Sequence, residues 1–238
     1  MAADLADVID KVRPSVVGIG ATYPKRQPNR RGDPIIYAGT GFVVGNGRQV
    51  ITNYHVLPQN LDTRNRQQLT VFSGRGAYVI NHRARVVRVD EERDLALLEF
   101  DGTPLPALEL GDSSRVREGQ EIAFTGFPLG TVLGLFPATH RGIVSAITPI
   151  ARALENARDL TPAQLRRMRN PYLVFQLDAV AYPGNSGSPL FETDSGKVIG
   201  VINAVIVKRS RESAISYPSG ISFAIPSHFI EKLLKPAP

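Results

Sequence analysis

Short β-prone runs, alternating or unbroken in their apolar residues, fill most of this 238-residue chain. In the first half Val16 to Ala21, Ile35 to Val44, Gln49 to Asn53, Leu69 to Ser73, Tyr78 to Ile80, Ala84 to Val89 and Leu95 to Phe100 read as strands. Arg83-Ala84-Arg85-Val86-Val87-Arg88-Val89 alternates most openly, as a strand with one wet face does. Glu121 to Phe127, Thr139 to Ile150, Tyr172 to Ala179, Gly187 to Glu192, Val198 to Val207 and Ile221 to Ile225 continue the pattern. Strands this short and this evenly spaced predict an all-β barrel or sandwich.

Helical spacing is confined to the ends and one excursion. Leu5, Val8, Ile9 and Val12 share a face, which predicts a short helix over Ala2 to Val12 stopped by Pro14. Near the other end, Phe229, Ile230, Leu233 and Leu234 form the apolar side of a closing helix over 227–235, with Ser227 as its cap. Ala151 to Asn170 reads as a partly helical insertion: Thr161 and Gln164 have capping-box spacing, Pro162 sits at the first helical position, and Pro171 ends it. Tyr23 to Asp33 is polar and basic and reads as an exposed loop. Gly102, Pro104, Pro106 and Gly111 interrupt the strands, so 102–114 is the natural linker between halves at about 14–101 and 115–226 of a single domain. No internal repeat is visible between those halves.

Composition narrows the chemistry. With 42% hydrophobic and 21% charged residues the chain is globular in type. It has no cysteine, which removes disulfides, thiol nucleophiles and thiolate metal sites. No cofactor or metal motif is present, and no apolar stretch is long enough to span a membrane as a helix. The net charge of +6 permits contact with anionic partners, but the basic residues are scattered without a nucleic-acid motif. The knots at Lys25 to Arg31 and at Arg166, Arg167 and Arg169 read as solvated surface. The first residues lack the basic-then-apolar order of a signal peptide. The location expected is a bacterial periplasm or the cell exterior after signal removal, with the cytoplasm as the alternative.

Asp178-Ala179-Val180-Ala181-Tyr182-Pro183-Gly184-Asn185-Ser186-Gly187-Ser188-Pro189-Leu190 concentrates small and turn-forming residues around one serine. It can be a hairpin turn. It can equally present a nucleophile, because glycine lets backbone N–H groups approach a reacting carbonyl. A serine needs a base, and the chain offers four histidines. His82 and His140 read as surface residues and His228 lies in the closing helix, whereas His55 directly follows the strand ending Thr52-Asn53. Asp94 stands at the entrance to the apolar run Leu95-Ala96-Leu97-Leu98, where a carboxylate needs a dedicated hydrogen-bond partner, the plainer readings being a strand-end cap or an ion pair with Arg93. Gly111-Asp112-Ser113 lacks a following glycine and reads as an Asp-capped turn. The order His55, Asp94, Ser186 is that of the chymotrypsin arrangement.

Thr52-Asn53-Tyr54-His55-Val56, Arg93-Asp94-Leu95-Ala96-Leu97 and Pro183-Gly184-Asn185-Ser186-Gly187 resemble the three catalytic blocks of the HtrA/Deg family of trypsin-like serine proteases. Fainter echoes, among them Gly39-Thr40-Gly41-Phe42-Val43-Val44 and Gly220-Ile221-Ser222-Phe223-Ala224-Ile225-Pro226, extend the likeness from about Pro14 to Pro226. The resemblance implies two six-stranded antiparallel β-barrels with the active site between them. It implies Ser186 as nucleophile, His55 as base, Asp94 as its orienting acid, and the N–H groups of Gly184 and Ser186 as oxyanion hole. It also implies unfolded protein or peptide substrates and a homotrimer.

Three departures bear on specificity and organisation. Ser188 stands where the family has a second glycine, as in glutamate-specific proteases of this fold, yet Ile202-Asn203-Ala204 lacks the histidine those enzymes use. Val180 replaces the aspartate of trypsins, so Val180, Ala181, Ala204 and Ser222 are expected to line a modest apolar pocket for a small or aliphatic side chain. Asn203, Ala204 and Val205 are expected to pair with the substrate as an added strand. The chain stops at Pro238, so the expectation is a protease domain without the PDZ domain that follows it in the family. The insertion over 151–170 lies near a family regulatory loop. The competing readings are a catalytically silent binding module using its basic loops and, with the motif order against it, an esterase.

Overall fold

Strands whose two faces are both apolar need two cores, and this chain builds them. The computed structural model describes residues 4–23, 35–76, 78–128, 134–150, 171–204 and 221–235. The first six strands are β1 (Val16–Thr22), β2 (Ile35–Val44), β3 (Gln49–Thr52), β4 (Gln68–Arg75), β5 (Tyr78–Asp90) and β6 (Leu95–Phe100). They close into an antiparallel barrel in the order β1-β2-β3-β6-β5-β4. The next six are β7 (Glu121–Gly126), β8 (Ala138–Pro149), β9 (Leu173–Asp178), β10 (Pro189–Glu192), β11 (Val198–Asn203) and β12 (Ile221–Pro226). They close as β7-β8-β9-β12-β11-β10, the same topology repeated. That repeat is invisible in the sequence because a strand order constrains which positions are apolar, not which residues fill them.

Period two explains the unbroken apolar runs. In β6, Ala96, Leu98 and Phe100 fill the first barrel, while Leu95 and Leu97 face outward into a seam with Val198, Val201 and Ile225 of the second. Likewise Val43 and Val50 point into the first barrel, and Phe42, Val44 and Ile51 join the seam. The second barrel is filled by Ile122, Phe124, Val144, Phe175, Leu177, Leu190, Ile199, Ile202 and Ala224. Each fully buried Val, Leu, Ile or Phe contributes about 1.5–3 kcal/mol, so the seam adds to what the barrel interiors supply.

The strand β5 behaves differently. It runs unbroken over thirteen residues, with a register shift between Val86 and Arg88, where the sequence predicts two separate strands. Asn81, His82 and Arg83 erase the apolar signal between them because this strand lies on the wet side of its barrel. His82 is nonetheless buried, contrary to its surface assignment: its Nε2 meets Ser73 Oγ at 2.8 Å and its ring lies beside Phe100. It is a core histidine whose hydrogen-bonding needs are met.

The helix α1 spans Leu5–Val12, with the Asp4 carboxylate accepting the Ala6 N–H at 3.2 Å. Val8 and Val12 pack with Phe72, Ala123 and Phe191 from both barrels. The closing helix α2 spans His228–Leu234 and buries Phe229, Ile230 and Leu233 in the seam. Its cap differs from expectation. Ser227 has helical backbone angles and donates its hydroxyl to Gly111 O at 2.8 Å, while Ser113 Oγ accepts the His228 N–H at 3.1 Å. The segment between the barrels therefore caps the helix from outside. The same segment is hydrogen-bonded to both halves through Leu108 N to Val43 O and Gly111 N to Val198 O. Residues 24–34, 151–170 and 205–220, on which the expected exposed loop, the expected helical insertion and the expected strand residues 205–207 fall, lie outside the described residues.

Candidate active site

One ladder brings His55 and Asp94 together. The antiparallel pairing of β3 with β6 sets Thr52 opposite Ala96, so the residues leaving β3 and those entering β6 share a barrel end. His55 sits there in the single turn Tyr54–Val56. Asp94 occupies the left-handed region at φ 56°, a conformation that aspartate tolerates better than most side chains. Its carbonyl accepts Asn53 Nδ2 at 3.0 Å and the Tyr54 N–H at 3.1 Å, which holds the turn in that shape.

The Asp94 carboxylate is buried and fully engaged. Oδ1 accepts the His55 backbone N–H at 2.9 Å. Oδ2 lies 2.6 Å from His55 Nδ1 and accepts Asn203 Nδ2 at 2.7 Å. Arg93 turns elsewhere, pairing with Asp90 at 3.0 Å, so the ion pair weighed for Asp94 is not formed. A carboxylate against Nδ1 keeps the proton on that nitrogen and leaves Nε2 as an acceptor. That is the tautomer a general base requires.

Ser186 arrives from the second barrel. Gly187 N–H donates to Ile202 O and Ile202 N–H to Ser188 O, both at 2.9 Å, extending the β10–β11 ladder to the nucleophile loop. Gly187 has φ 88°, and a Cβ there would lie 2.0 Å from Thr40 O, so no other residue fits. Asn185, Gly187 and Ser188 all spend their N–H groups inside the protein. Among the described residues the N–H groups of Gly184 and Ser186 have no such partner. Those are the two donors expected to receive an oxyanion. The Ser186 hydroxyl accepts the Ala204 N–H at 3.3 Å, and among the described residues it makes no hydrogen bond to His55. Such bonds tighten when substrate closes the geometry.

The expected substrate-binding residues divide into two groups. Ala181 is buried, while Val180 and Ala204 are partly exposed. Ser222 is buried, and its hydroxyl accepts the Ala181 N–H at 2.8 Å and donates to Ala179 O at 2.6 Å. It thus straps the wall formed by 179–181 and has no hydrogen left for a ligand. Asn203 has a second role in its side chain: the residue is 2% exposed and its carboxamide is directed to Asp94, on the opposite side of the strand from Ala204, which leaves the expected backbone pairing with substrate untouched. Val205 lies outside the described residues.

The other histidines stand apart from this constellation. His140 stacks on Phe124 with ring centroids 4.8 Å apart, and burial pushes its pKa below the usual histidine range. It is half-buried rather than a surface residue. His228 is also lowered, by burial first and then by Lys232 and Arg93, against an opposing effect of Glu231. Asp112 caps a turn by accepting the Ser114 N–H at 3.0 Å. Among the described residues no group of three or more His, Asp or Glu side chains is arranged to hold a metal ion.

Sequence reasoning missed Thr40. This buried residue of β2 donates its backbone N–H to Ser186 O at 2.9 Å and its hydroxyl to Gly184 O at 2.6 Å. Its one signature in the sequence is a polar residue set between two glycines, Gly39 and Gly41, in an otherwise apolar strand.

Comparison with known proteins gives the chain a family. The family described as trypsin-like peptidase domain matches residues 39–201. The chain is 32% identical over 231 residues to serine protease HTRA1A of Danio rerio, covering 97% of this chain and 40% of that protein. It is 32% identical over 231 residues to serine protease HTRA3 of Homo sapiens, covering 97% and 44%. The chain therefore spans less than half the length of these relatives. The solved structure of the HtrA-type protease AlgW with decapeptide matches with a TM-score of 0.69 at 24% identity, over 97% of this chain and 66% of that one. At that identity the likeness is one of fold.

Proposed function

The chain belongs to the trypsin-like peptidases, and is HtrA-like among them; on that premise we propose that it is a serine endopeptidase acting through Ser186, His55 and Asp94 on unfolded polypeptides. One observation carries the reading: a buried Asp94 carboxylate fixes His55 in the base tautomer at the barrel seam where the Ser186 loop arrives with two unspent N–H groups.

The steps follow from those positions. His55 Nε2 takes the Ser186 proton as Oγ attacks the carbonyl carbon of the scissile bond. The carbonyl oxygen becomes an oxyanion and is received by the N–H groups of Gly184 and Ser186, while Pro183 has no N–H to offer. Asp94 stabilises the imidazolium. Its proton then goes to the leaving amine, the C–N bond breaks, and an acyl ester remains on Ser186. Water, deprotonated by His55, releases the acid and restores the serine.

Substrate choice follows the wall residues. Val180, Ala181 and Ala204 are small and uncharged, and the Ser222 hydroxyl is committed to the backbone of 179–181. A small or aliphatic side chain before the cut suits that wall, and a charged one would be desolvated without a partner. The substrate enters extended and pairs as an added strand with the backbone at Asn203 and Ala204. The AlgW structure was solved with a decapeptide, and a peptide is the form of ligand proposed here. The homotrimer is proposed from family analogy, and the exposed Tyr78, Ile80 and Phe136 on the surface supply apolar contact area for it.

Casein digestion tests the reading. The wild-type protein is expected to cut internal bonds, after small or aliphatic residues, with Ser186→Ala inactive. Equal inactivity of both would overturn the proposal.

A further inference from the structure

Thr40 uses four polar contacts to join three elements. Its backbone N–H donates to Ser186 O at 2.9 Å and its hydroxyl donates to Gly184 O at 2.6 Å. The same hydroxyl oxygen accepts the Phe127 N–H at 3.0 Å, just past β7. Its own carbonyl accepts the Thr52 hydroxyl at 2.7 Å, beside the turn that carries His55. Thr40 is 0% exposed, so none of these bonds competes with bulk water.

The two bonds to the nucleophile loop grip it at Gly184 O and Ser186 O, with Asn185 between. The backbone between those grips includes the Ser186 N–H, and the first grip fixes the residue that bears the Gly184 N–H. The loop's own side chains add no grip there: among the described residues Asn185 Oδ1, Asn185 Nδ2 and Ser188 Oγ are buried without hydrogen-bond partners. Gly126 leaves room for these groups. A Cβ there would lie 2.0 Å from Ser188 Oγ and 3.0 Å from both Asn185 Oδ1 and Thr40 Oγ1.

Accepting the peptidase reading above, we propose that Thr40 is a positioning residue that aims the Gly184 and Ser186 N–H groups at the developing oxyanion. It touches no substrate. It acts by tying the loop of the second barrel to the strand of the first, so the oxyanion donors and the His55 turn share one frame. A methyl group in place of the hydroxyl keeps the shape but leaves Gly184 O and the buried Phe127 N–H without this partner. An ångström of misplacement at such a site costs about a hundredfold in rate.

The test compares Thr40→Val and Thr40→Ser with wild type on a peptide substrate, alongside hydrogen–deuterium exchange of the peptide covering 184–188. Thr40→Val is expected to lower kcat about 10- to 100-fold with KM within about threefold. Thr40→Ser, which retains the hydroxyl, is expected within about threefold of wild type. Exchange over 184–188 is expected to rise at least about tenfold in Thr40→Val alone, with β3 and β6 unchanged. Unchanged exchange over 184–188, or an equal loss of kcat in both variants, would overturn the proposal. Should Thr40→Val fail to fold, Thr40→Ala is read by the same criteria. If wild type shows no turnover, the peptidase reading falls, and the exchange result alone decides whether Thr40 orients the loop.

Discussion

Asn203 donates its carboxamide N–H to the same Asp94 oxygen that faces His55 Nδ1. The bond crosses from the second barrel to the first, so the acid that orients the imidazole is itself oriented by the barrel that carries the nucleophile. Removing that donor leaves Oδ2 with one partner in a buried setting. Asn203→Ala is expected to lower kcat about tenfold with little change in KM, read from steady-state kinetics on a peptide substrate. A rise in KM with kcat intact would contradict this role for the carboxamide.

Asp94→Asn tests the tautomer. An amide that donates to Nδ1 forces the imidazole proton onto Nε2, where it blocks proton removal from Ser186. Turnover at neutral pH is expected to fall by about 10⁴, with the fold retained by circular dichroism.

Gly187→Ala tests the contact between the loop and β2. The positive φ and the 2.0 Å approach to Thr40 O leave no room for a methyl group, and backbone must move on one side. A loss of roughly 1–3 kcal/mol in unfolding free energy is expected, together with loss of activity. Denaturant titration with an unchanged m-value measures it.

The two lowered histidine pKa values set an acid limit. Both His140 and His228 lie below their unfolded value of 6.5, so folding favours their neutral forms. Their contribution is present above pH 6.5 and is lost as pH falls through the lower folded values. Thermal melts from pH 7.5 to pH 5 are therefore expected to show a steeper loss in wild type than in His140→Phe, whose ring keeps the stack on Phe124. Parallel slopes would contradict this.

The sequence carried most of the strands and marked out His55, Asp94 and Ser186, because each leaves a local mark: alternation, or a chemistry-bearing residue at a strand end. What it did not carry is what depends on two distant strands at once. The direction of the Asn203 side chain follows from which face of β11 meets Asp94. The continuity of β5 through Asn81-His82-Arg83 follows from their ladder partners on β4, Phe72, Val71 and Thr70. Thr40 matters only because β2 of one barrel runs beside the nucleophile loop of the other. Ser227 looked like a cap by type and position, but Ser113 reached the helix first.

Covalent labelling with an alkyl fluorophosphonate, followed by digestion and mass spectrometry, addresses the central claim most directly. Phosphonylation with loss of fluoride requires an activated serine beside a base and an oxyanion hole, and needs no knowledge of the natural substrate. A single adduct on the Ser186 oxygen is predicted, absent in Ser186→Ala and suppressed in His55→Ala. No adduct on the folded wild-type protein, or an adduct on another serine with Ser186 unmodified, would contradict the account.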